Sequence, residues 1–244
     1  MQALILAAGY GTRLGAVTHN AAKPLLDLGG RPLLSHVVRA IERVEVVERI
    51  TVITNAKFFA DFADWRAGFA ATKQLDLLND GTRDNAERLG AIGDLGLAID
   101  RQGIDDDVLI VGGDNLFQFE LPDFVASAQA RGTSLAVYTL PSRDLAGRYG
   151  NVELDPHDRI VWFEEKPAEP RTPLIATCVY CLLRAHLPLL RGYRDTVGQL
   201  DAPGLFFRWL AQREPVYGYA FDGFWFDIGD ETSLAAARAA AVSA

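Results

Sequence analysis

Two glycines, an arginine and a distant lysine form the most chemically distinctive pattern near the start of the chain. The stretch LILAAGYGTRLGAVTHNAAKPLL contains Gly9, Gly11, Arg13 and Lys23 after an apolar, strand-like run. Glycines let the backbone turn sharply and present its N–H groups to an anion, and the two cations can neutralise phosphate charge. The glycine spacing is one residue longer than the dinucleotide fingerprint, and no G-K-[ST] of a P-loop follows. The pattern therefore predicts a polyphosphate-binding loop, with a plain surface turn as the alternative.

Two aspartates follow strand-like runs in widely separated parts of the chain. Asp114 lies in GGDN, after an apolar run, and Asp227 lies in FWFDIGD, after an aromatic run. Carboxylates at the carboxyl ends of strands are suitable hard-oxygen ligands for Mg²⁺. The sequence therefore predicts a shared metal site if the two strands are neighbours, whereas an ordinary Asp-Asn turn is the alternative for Asp114.

A third polar cluster closes a strand in the second half of the chain. FEEKP contains Glu165 and Lys166 before a proline that stops strand pairing. The upstream YGNVELD and the run RIVWFEEKP predict an antiparallel pair around the turn 155–158. These acids and the lysine are candidates for binding a polar substrate, and a solvated surface strand is the alternative.

The composition limits the classes of function. The 244 residues are 49% hydrophobic and carry a formal net charge of −8, so the long-range field disfavours nucleic acid and anionic membranes as partners. No run is long and apolar enough for a membrane span, and the start of the chain lacks signal-peptide features, so a cytoplasmic location is expected. Cys178 and Cys181 lie in a strand-like run in which positions three apart face opposite sides, which predicts two core residues.

Alternating strand and helix signals predict an α/β fold with a mixed, mainly parallel sheet flanked by helices. The run ALILA predicts the first buried strand, Pro32 opens an apolar-periodic helix, and RLGAIGDLGLAID predicts a later helix that begins at Arg88. We expect a single domain over residues 1–244. Its nucleotide-binding half covers about 1–120, and a mixed half that ends in a C-terminal helix covers about 121–244.

Taken together and in order, these motifs resemble those of the sugar-1-phosphate nucleotidyltransferases, also called NDP-sugar pyrophosphorylases. LAAGYGTRL with KPLL resembles the family's signature loop, GGDN and FWFDIGD its metal motifs, and YGNVELD with EEKP its sugar-site strands. The resemblance implies a Rossmann-like, GT-A-like nucleotidyltransferase fold, Mg²⁺ as cofactor, and an NTP and a sugar 1-phosphate as substrates. By length, the glucose-1-phosphate thymidylyltransferases are the most similar branch.

The resemblance also implies roles for individual residues. Catalysis would involve Arg13 and Lys23, and the metal would be held by Asp114 and Asp227. The positions that would bind the nucleotide are Leu6, Ala8, Gly9, Gly11, Thr12, Asn79, Thr82, Asn85, Gly113 and Asn115. Those that would bind the sugar phosphate are Tyr149, Gly150, Glu165, Lys166 and Tyr180, with Glu165 contacting hydroxyls and Lys166 the phosphate.

Two departures from the family pattern leave the substrates open. Ala22 stands before Lys23, where the family usually has proline or serine. After the third strand the chain reads NDGTRDNAERLGAIGD instead of the Gln-Pro and Gly-Leu-Ala-Gln stretches of thymidylyltransferases. A pair such as Asn79 and Asn85 is more typical of cytidylyltransferases that act on phosphocholine or inositol phosphate. The sequence leaves open which NTP and which acceptor are used.

Two functions of other classes compete with this interpretation. A nicotinamide-dependent oxidoreductase is disfavoured, because the glycine spacing is wrong and the second strand ends in Thr54-Asn55 without an acid for the ribose. A catalytically inactive, nucleotide-sugar-binding regulator stays open, although the cations and acids named above are all present. The oligomeric state is also open, and a homo-oligomer is compatible with the sequence.

Overall fold

A computed structural model describes residues 1–11 and 21–242 of the chain. The fold is mixed α/β, with a mainly parallel central sheet flanked by helices, as the sequence predicts. No helix in the described ranges is long and apolar enough to cross a membrane. The chain divides into two compact units: unit 1 comprises Met1–Leu89, Val111–Leu121 and Gly223–Ala244, and unit 2 comprises Gly90–Ile110 and Pro122–Asp222. The units are interleaved along the chain, and the proposal of one domain stays a prediction.

Unit 1 is organised around three parallel strands. They are β1 (Gln2–Leu6), β2 (Arg49–Thr54) and β3 (Gln74–Asn79), paired in the order β1-β2-β3. The apolar runs of β1 and β2 are buried on both faces, as is usual for parallel strands covered by helices. The register brings the carboxyl ends of all three strands to one edge, which is where open α/β sheets bind ligands.

Three α-helices and a small second sheet complete the described part of unit 1. The helices are α1 (Leu33–Glu42), α2 (Phe59–Gly68) and α7 (Glu231–Val242). Pro32 precedes α1 as predicted, and the buried side chains of α1 recur at helical spacing. The second sheet pairs β5 (Asn115–Phe117) with β11 (Trp225–Asp227) in antiparallel orientation.

Unit 2 contains most of the antiparallel pairing. Its strands are β6 (Ser134–Thr139), β7 (Gly150–Leu154), β8 (Ile160–Glu165), β9 (Leu174–Leu182) and β10 (Tyr217–Ala220). Strand β10 pairs with β6 in parallel, and β9 pairs with both β6 and β7 in antiparallel orientation. The predicted antiparallel pair is confirmed as β7 with β8, joined by a turn in which Asp155 accepts hydrogen bonds from His157 and Arg159. The strand β4 (Val108–Gly112) begins in unit 2 and ends in unit 1.

The α-helices of unit 2 are α3 (Ala91–Gln102), α4 (Leu121–Arg131), α5 (Leu187–Thr196) and α6 (Pro203–Ala211). The first residue of α4, Leu121, belongs to unit 1. The predicted start of α3 at Arg88 is wrong, since the helix begins at Ala91. Gly90 has φ +76°, and a Cβ at that position would lie 2.4 Å from the carbonyl oxygen of Leu200. This left-handed backbone, close to another segment, cannot continue into a helix turn.

The two cysteines are components of β9 and form no disulfide. Cys181 is fully buried, and burial raises the pKa of its thiol to about 12. This burial confirms the prediction of a core residue for Cys181, whereas Cys178 is only half-buried, so the prediction of two core residues is wrong for Cys178.

We expect Asn55 to be important for the stability of the edge of unit 1. Its buried side chain donates to the Ala8 carbonyl (2.8 Å) and accepts from the Phe58 N–H (3.0 Å). Asn55→Ala leaves both backbone groups without these bonds, so the free energy of unfolding should fall by about 2–4 kcal/mol in urea titrations. Asn85→Ala, at an exposed position, serves as the control and should change it by less than about 0.5 kcal/mol. Equal effects of the two variants would contradict this role.

Candidate active site

The predicted phosphate loop begins at the carboxyl end of β1. Gly11 has φ +63°, and a Cβ on Gly11 would lie 3.3 Å from Cγ and 3.6 Å from Cε of Lys23. The aliphatic part of Lys23 therefore lies along the glycine backbone, and the structure brings these two predicted residues together. Among the described residues no acidic group is paired with the Lys23 ammonium. The predicted residues Thr12 and Arg13 lie outside the described residues.

Lys23 is held by a short 3-10 helix, Lys23–Leu25, whose preceding residue is the unusual Ala22. Ala22 is only 1% exposed, and its carbonyl accepts a hydrogen bond from the Leu25 N–H (2.9 Å). A small residue fits this buried corner. The departure from proline or serine therefore does not prevent the turn that presents Lys23.

The backbone groups beside the loop connect the ends of neighbouring strands. The Leu6 carbonyl accepts a hydrogen bond from the Gly113 N–H (2.9 Å), and Ala7 donates to the Ile53 carbonyl (2.9 Å). A Cβ on Gly113 would lie 3.0 Å from the Leu6 oxygen, so a larger residue would be tightly packed at this close approach. Three predicted positions, Leu6, Ala8 and Gly113, thus lie together at one edge of unit 1.

The segment after β3 forms a tight, hydrogen-bonded turn. The Asn79 side chain accepts from the Gly81 N–H (2.8 Å), and the Asp80 carboxylate accepts from both the N–H (2.7 Å) and the hydroxyl (2.8 Å) of Thr82. The Thr82 hydroxyl also lies 2.7 Å from the hydroxyl of Tyr10 in the glycine loop. The predicted residue Thr82 is therefore connected to the loop by Tyr10, which the sequence analysis did not select.

The other member of the predicted asparagine pair has a different environment. Asn85 is exposed and lies on a turn in which Asp84 accepts from the N–H groups of Ala86 (2.8 Å) and Glu87 (3.2 Å). Residues 80–90 contain no helix. This segment therefore differs in structure, as well as in sequence, from the Gly-Leu-Ala-Gln helix start expected of a thymidylyltransferase.

The two predicted metal ligands lie on neighbouring chain segments. In the β5–β11 pair Asn115 is opposite Asp227, and the Ile228 N–H donates to the Asp114 carbonyl (2.9 Å). The buried Asn115 side chain accepts from the Trp225 indole (2.8 Å) and donates to the Asp114 carboxylate (3.1 Å). The strand paired with β11 is β5, which follows Asp114, and not β4, the strand that precedes Asp114. The two aspartates are therefore brought onto adjacent segments through β5, and the shared metal site stays a prediction.

The donor set at this pair is compatible with Mg²⁺. Both aspartate side chains are half-buried, and Mg²⁺ is commonly held by one or two carboxylates together with substrate phosphates. No cluster of three or more metal-binding side chains occurs among the described residues. The two carboxylates therefore fit a magnesium ion whose other ligands are substrate phosphates and water.

A hydrophobic cluster supports the metal motifs. Ile228 and Leu116 pack with Leu234 and Ala237 of α7, and all four are at most 8% exposed. Helix α7 begins after Asp230, whose side chain accepts from the Ser233 N–H (2.8 Å) and so caps the start of the helix. The C-terminal helix therefore stabilises the position of β11 in unit 1.

The predicted sugar-phosphate residues gather in unit 2. Gly150 of β7 pairs with Glu165 of β8, and the Lys166 N–H donates to the Tyr149 carbonyl (3.0 Å). Lys166 has φ +49°, an uncommon conformation for a residue with a side chain, and such strain is often found at functional sites. Four of the five predicted residues therefore lie side by side where β7 begins and β8 ends.

Glu165 occupies a space that two glycines leave open. A Cβ on Gly150 would lie 3.1 Å from the Glu165 Oε2 atom, and a Cβ on Gly204 of α6 would lie 2.2 Å from it. Among the described residues no donor is paired with this carboxylate. Burial raises the pKa of Glu165, although the Lys166 charge opposes this shift. A carboxylate in such a site gains stability from any hydroxyl that a ligand donates.

Tyr180 lies beneath this site rather than on its surface. The ring is 4% exposed and stacks on Phe207, with centroids 4.2 Å apart. Burial raises the pKa of Tyr180 well above its usual value, and the Cys178 and Glu165 charges add to the effect. The ring is therefore neutral and supports the base of the site.

The sequence analysis missed Tyr10, Asp80, Gly204 and Phe207. For the first two a signal existed, since Asn-Asp-Gly-Thr is a turn sequence in which a short acid bonds the residue two positions later. No local signal existed for Gly204 and Phe207, because their importance comes from contacts with β8 and β9, strands distant in sequence.

We expect Gly150→Ala to destabilise unit 2. The new Cβ would lie 2.6 Å from Cε2 of the buried Phe163 ring, which cannot move as a flexible chain end would. The free energy of unfolding should fall by about 1–3 kcal/mol in urea titrations. The control is Gly192→Ala in α5, where no atom would meet the Cβ and a gain of up to about 1 kcal/mol is expected. Stability of Gly150→Ala at or above that of the unmodified protein would contradict this packing.

Comparisons with known proteins agree with this arrangement. The fold is similar to the crystal structure of a Bacillus anthracis protein assigned as a glucose-1-phosphate thymidylyltransferase and determined in complex with a sucrose. The TM-score is 0.83 at 23% identity, with 99% of this chain and 95% of that chain covered, which shows the shared fold. A sequence profile of the nucleotidyl transferase family matches residues 2–243. Because this match spans almost the whole sequence, the chain belongs to the nucleotidyl transferase family, and the resemblance drawn from its motifs is confirmed.

Proposed function

We propose that this protein condenses an NTP with a sugar 1-phosphate to give an NDP-sugar and pyrophosphate. The observation that carries the proposal is the pairing of β5 with β11, which brings Asp114 beside Asp227 in the unit that also contains the glycine loop and Lys23. Two carboxylates that can hold Mg²⁺, backbone N–H groups and a lysine are groups that bind a triphosphate. The Glu165 carboxylate in unit 2 suits a ligand that is rich in hydroxyl groups.

The proposed reaction is an in-line displacement that needs no protein nucleophile. An oxygen of the acceptor phosphate forms a bond to the α-phosphorus of the NTP, the α–β bridging P–O bond breaks, and pyrophosphate leaves with the electron pair. The phosphate monoester is already ionised near neutral pH, so the barrier comes from charge repulsion and alignment. When bound between Asp114 and Asp227, Mg²⁺ would supply Lewis-acid neutralisation of the phosphate oxygens.

The protein's own groups have separate tasks in this proposal. The N–H groups around Gly9 and Gly11 and the Lys23 ammonium neutralise and align the triphosphate, together with Arg13. In unit 2, Glu165 accepts hydrogen bonds from acceptor hydroxyls and Lys166 binds the acceptor phosphate. Cytoplasmic location and the absence of nucleic-acid and membrane partners remain predictions from composition.

A second candidate is a cytidylyltransferase that acts on a non-sugar phosphate such as phosphocholine or inositol phosphate. The segment 80–90 favours it, because Asn79 ends β3 and a hydrogen-bonded turn follows instead of a helix start. A catalytically inactive regulator that binds nucleotide sugars is the candidate outside the enzymes.

We expect pyrophosphate release in a matrix of the NTPs against sugar 1-phosphates, phosphocholine and inositol phosphate. Activity with one sugar 1-phosphate supports the proposal, activity with CTP and a non-sugar phosphate supports the second candidate, and nucleotide-sugar binding without turnover supports the regulator.

Asp114→Asn keeps the size of the side chain but removes its charge, so the rate should fall about 100-fold or more. The matched control Asp61→Asn changes an exposed acid of α2 and should retain full activity. Normal turnover of Asp114→Asn with Mg²⁺ would refute the metal role.

The pH dependence should identify Glu165 as a substrate-binding group. Its pKa is raised, so protonation begins at a higher pH than for an ordinary glutamate, and acceptor hydroxyls then lose their hydrogen-bond acceptor. The KM for the acceptor should therefore rise as the pH falls through this raised pKa. Glu165→Gln should have a higher KM at neutral pH and lack this dependence, apart from the titration of the acceptor phosphate itself. A Glu165→Gln profile parallel to that of the unmodified protein would exclude the role.

A further inference from the structure

Tyr10 links the glycine loop to the segment that follows β3. It lies between Gly9 and Gly11, and its hydroxyl is 2.7 Å from the Thr82 Oγ1 atom. Its ring is also near Phe58, with centroids 6.4 Å apart. The side chain is half-buried, although the loop around it is partly exposed. The loop therefore has a side-chain attachment to a different strand end.

The direction of the hydrogen bonds follows from the chemistry of Asp80. Both carboxylate oxygens lie within 2.9 Å of the Thr82 hydroxyl, and an ionised carboxylate only accepts hydrogen bonds. The Thr82 hydroxyl therefore donates its proton to Asp80. The Tyr10 phenol in turn donates to Thr82. Burial, with the negative charge of Asp80 adding to it, raises the pKa of Tyr10, so the phenol keeps the proton that this chain requires.

The Asp80 end of this series of hydrogen bonds is buried within unit 1. Thr82 is 5% exposed and Asp80 is 9% exposed. Their backbones are bonded to the end of β2, because Asp80 donates to the Thr54 carbonyl (2.9 Å) and Ala56 donates to the Thr82 carbonyl (2.8 Å). The hydrogen bond from Tyr10 to Thr82 thus connects a glycine-rich loop to a buried turn that is held by backbone hydrogen bonds.

We propose that Asp80 and Thr82 are positioning residues that act through Tyr10 to hold the Gly9–Gly11 backbone ready for the nucleotide. Glycines lose much conformational freedom when they are ordered, so an untethered loop must be ordered at the expense of binding free energy. The tether supplies this order before the ligand arrives. This inference rests on the proposed function for its kinetic test, but the tether itself can be examined in the ligand-free protein.

The kinetic test compares Tyr10→Phe, which removes only the hydroxyl, with the unmodified protein. The KM for the NTP should rise about 3- to 10-fold, the value expected for one net hydrogen bond. The kcat and the acceptor KM should change by less than about twofold, because the loop binds the ground state and the transition state alike. The matched control is Tyr217→Phe in unit 2, whose ring packs against Arg131. An unchanged NTP KM, or a kcat that falls more than the KM rises, would overturn the proposal.

Substitutions at Thr82 separate a tether from a merely structural role. Thr82→Val removes the hydroxyl that Tyr10 contacts and should raise the KM for the NTP at least as much as Tyr10→Phe does, whereas Thr82→Ser keeps a hydroxyl and should raise it less than Thr82→Val. The double variant Tyr10→Phe/Thr82→Val should have the same KM for the NTP as Thr82→Val alone, since both substitutions remove the bond between Tyr10 and Thr82. Independent, multiplied effects of the two substitutions would contradict the chain of hydrogen bonds.

Hydrogen exchange in the ligand-free protein tests the tether without any activity. Amide exchange of Gly9–Gly11 should be at least about threefold faster in Tyr10→Phe and Thr82→Val, and unchanged in Thr82→Ser and Tyr217→Phe. Exchange that is the same in all variants would refute the tether. If the unmodified protein releases no pyrophosphate with any substrate pair, the proposed function fails, and these exchange rates still decide whether the tether exists.

Discussion

The pairing of two short strands more than a hundred residues apart is the constraint on which the proposed chemistry depends. Strand β11 lies against β5, and a buried hydrogen bond joins Trp225 to Asn115 across 110 positions of sequence. Without this pairing the chain would carry two separate surface aspartates. With it, Asp114 and Asp227 lie on adjacent segments, as the proposed magnesium site requires. The apolar contacts of α7 stabilise the arrangement by burying Ile228 beneath it.

Two glycines are as important for the candidate site in unit 2 as the charged residues are for the site in unit 1. Gly150 and Gly204 leave room for the Glu165 carboxylate, and the buried, stacked rings of Tyr180 and Phe207 lie close to it. This environment is responsible for the raised pKa of the glutamate. A buried carboxylate is costly unless a donor arrives, which supports the proposal that the ligand of this site carries hydroxyl groups.

The sequence predicted these residues with unequal success. The motif residues were found because glycine spacing, strand-terminal acids and the EEKP run are local patterns. Tyr10 and Asp80 were missed because their hydrogen bonds to Thr82 join the ends of two different strands. The start of α3 was misplaced because helical periodicity continues through Gly90, whereas the close approach of Leu200 forces that glycine into a left-handed conformation.

The amino-acid sequence by itself determined the fold class, the family and the types of residue available for phosphate and metal chemistry. The fold class follows from the alternation of helix and strand patterns, and the family follows from the resemblance of short motifs. Each of these patterns is contained in a few neighbouring positions. Only the tertiary structure decided which of these residues are neighbours, that Asp227 lies opposite Asn115 and that Lys23 lies along Gly11. It also decided how buried Glu165 is. The physical reason is that strand pairing, desolvation and glycine contacts arise between distant segments, and no local pattern contains them.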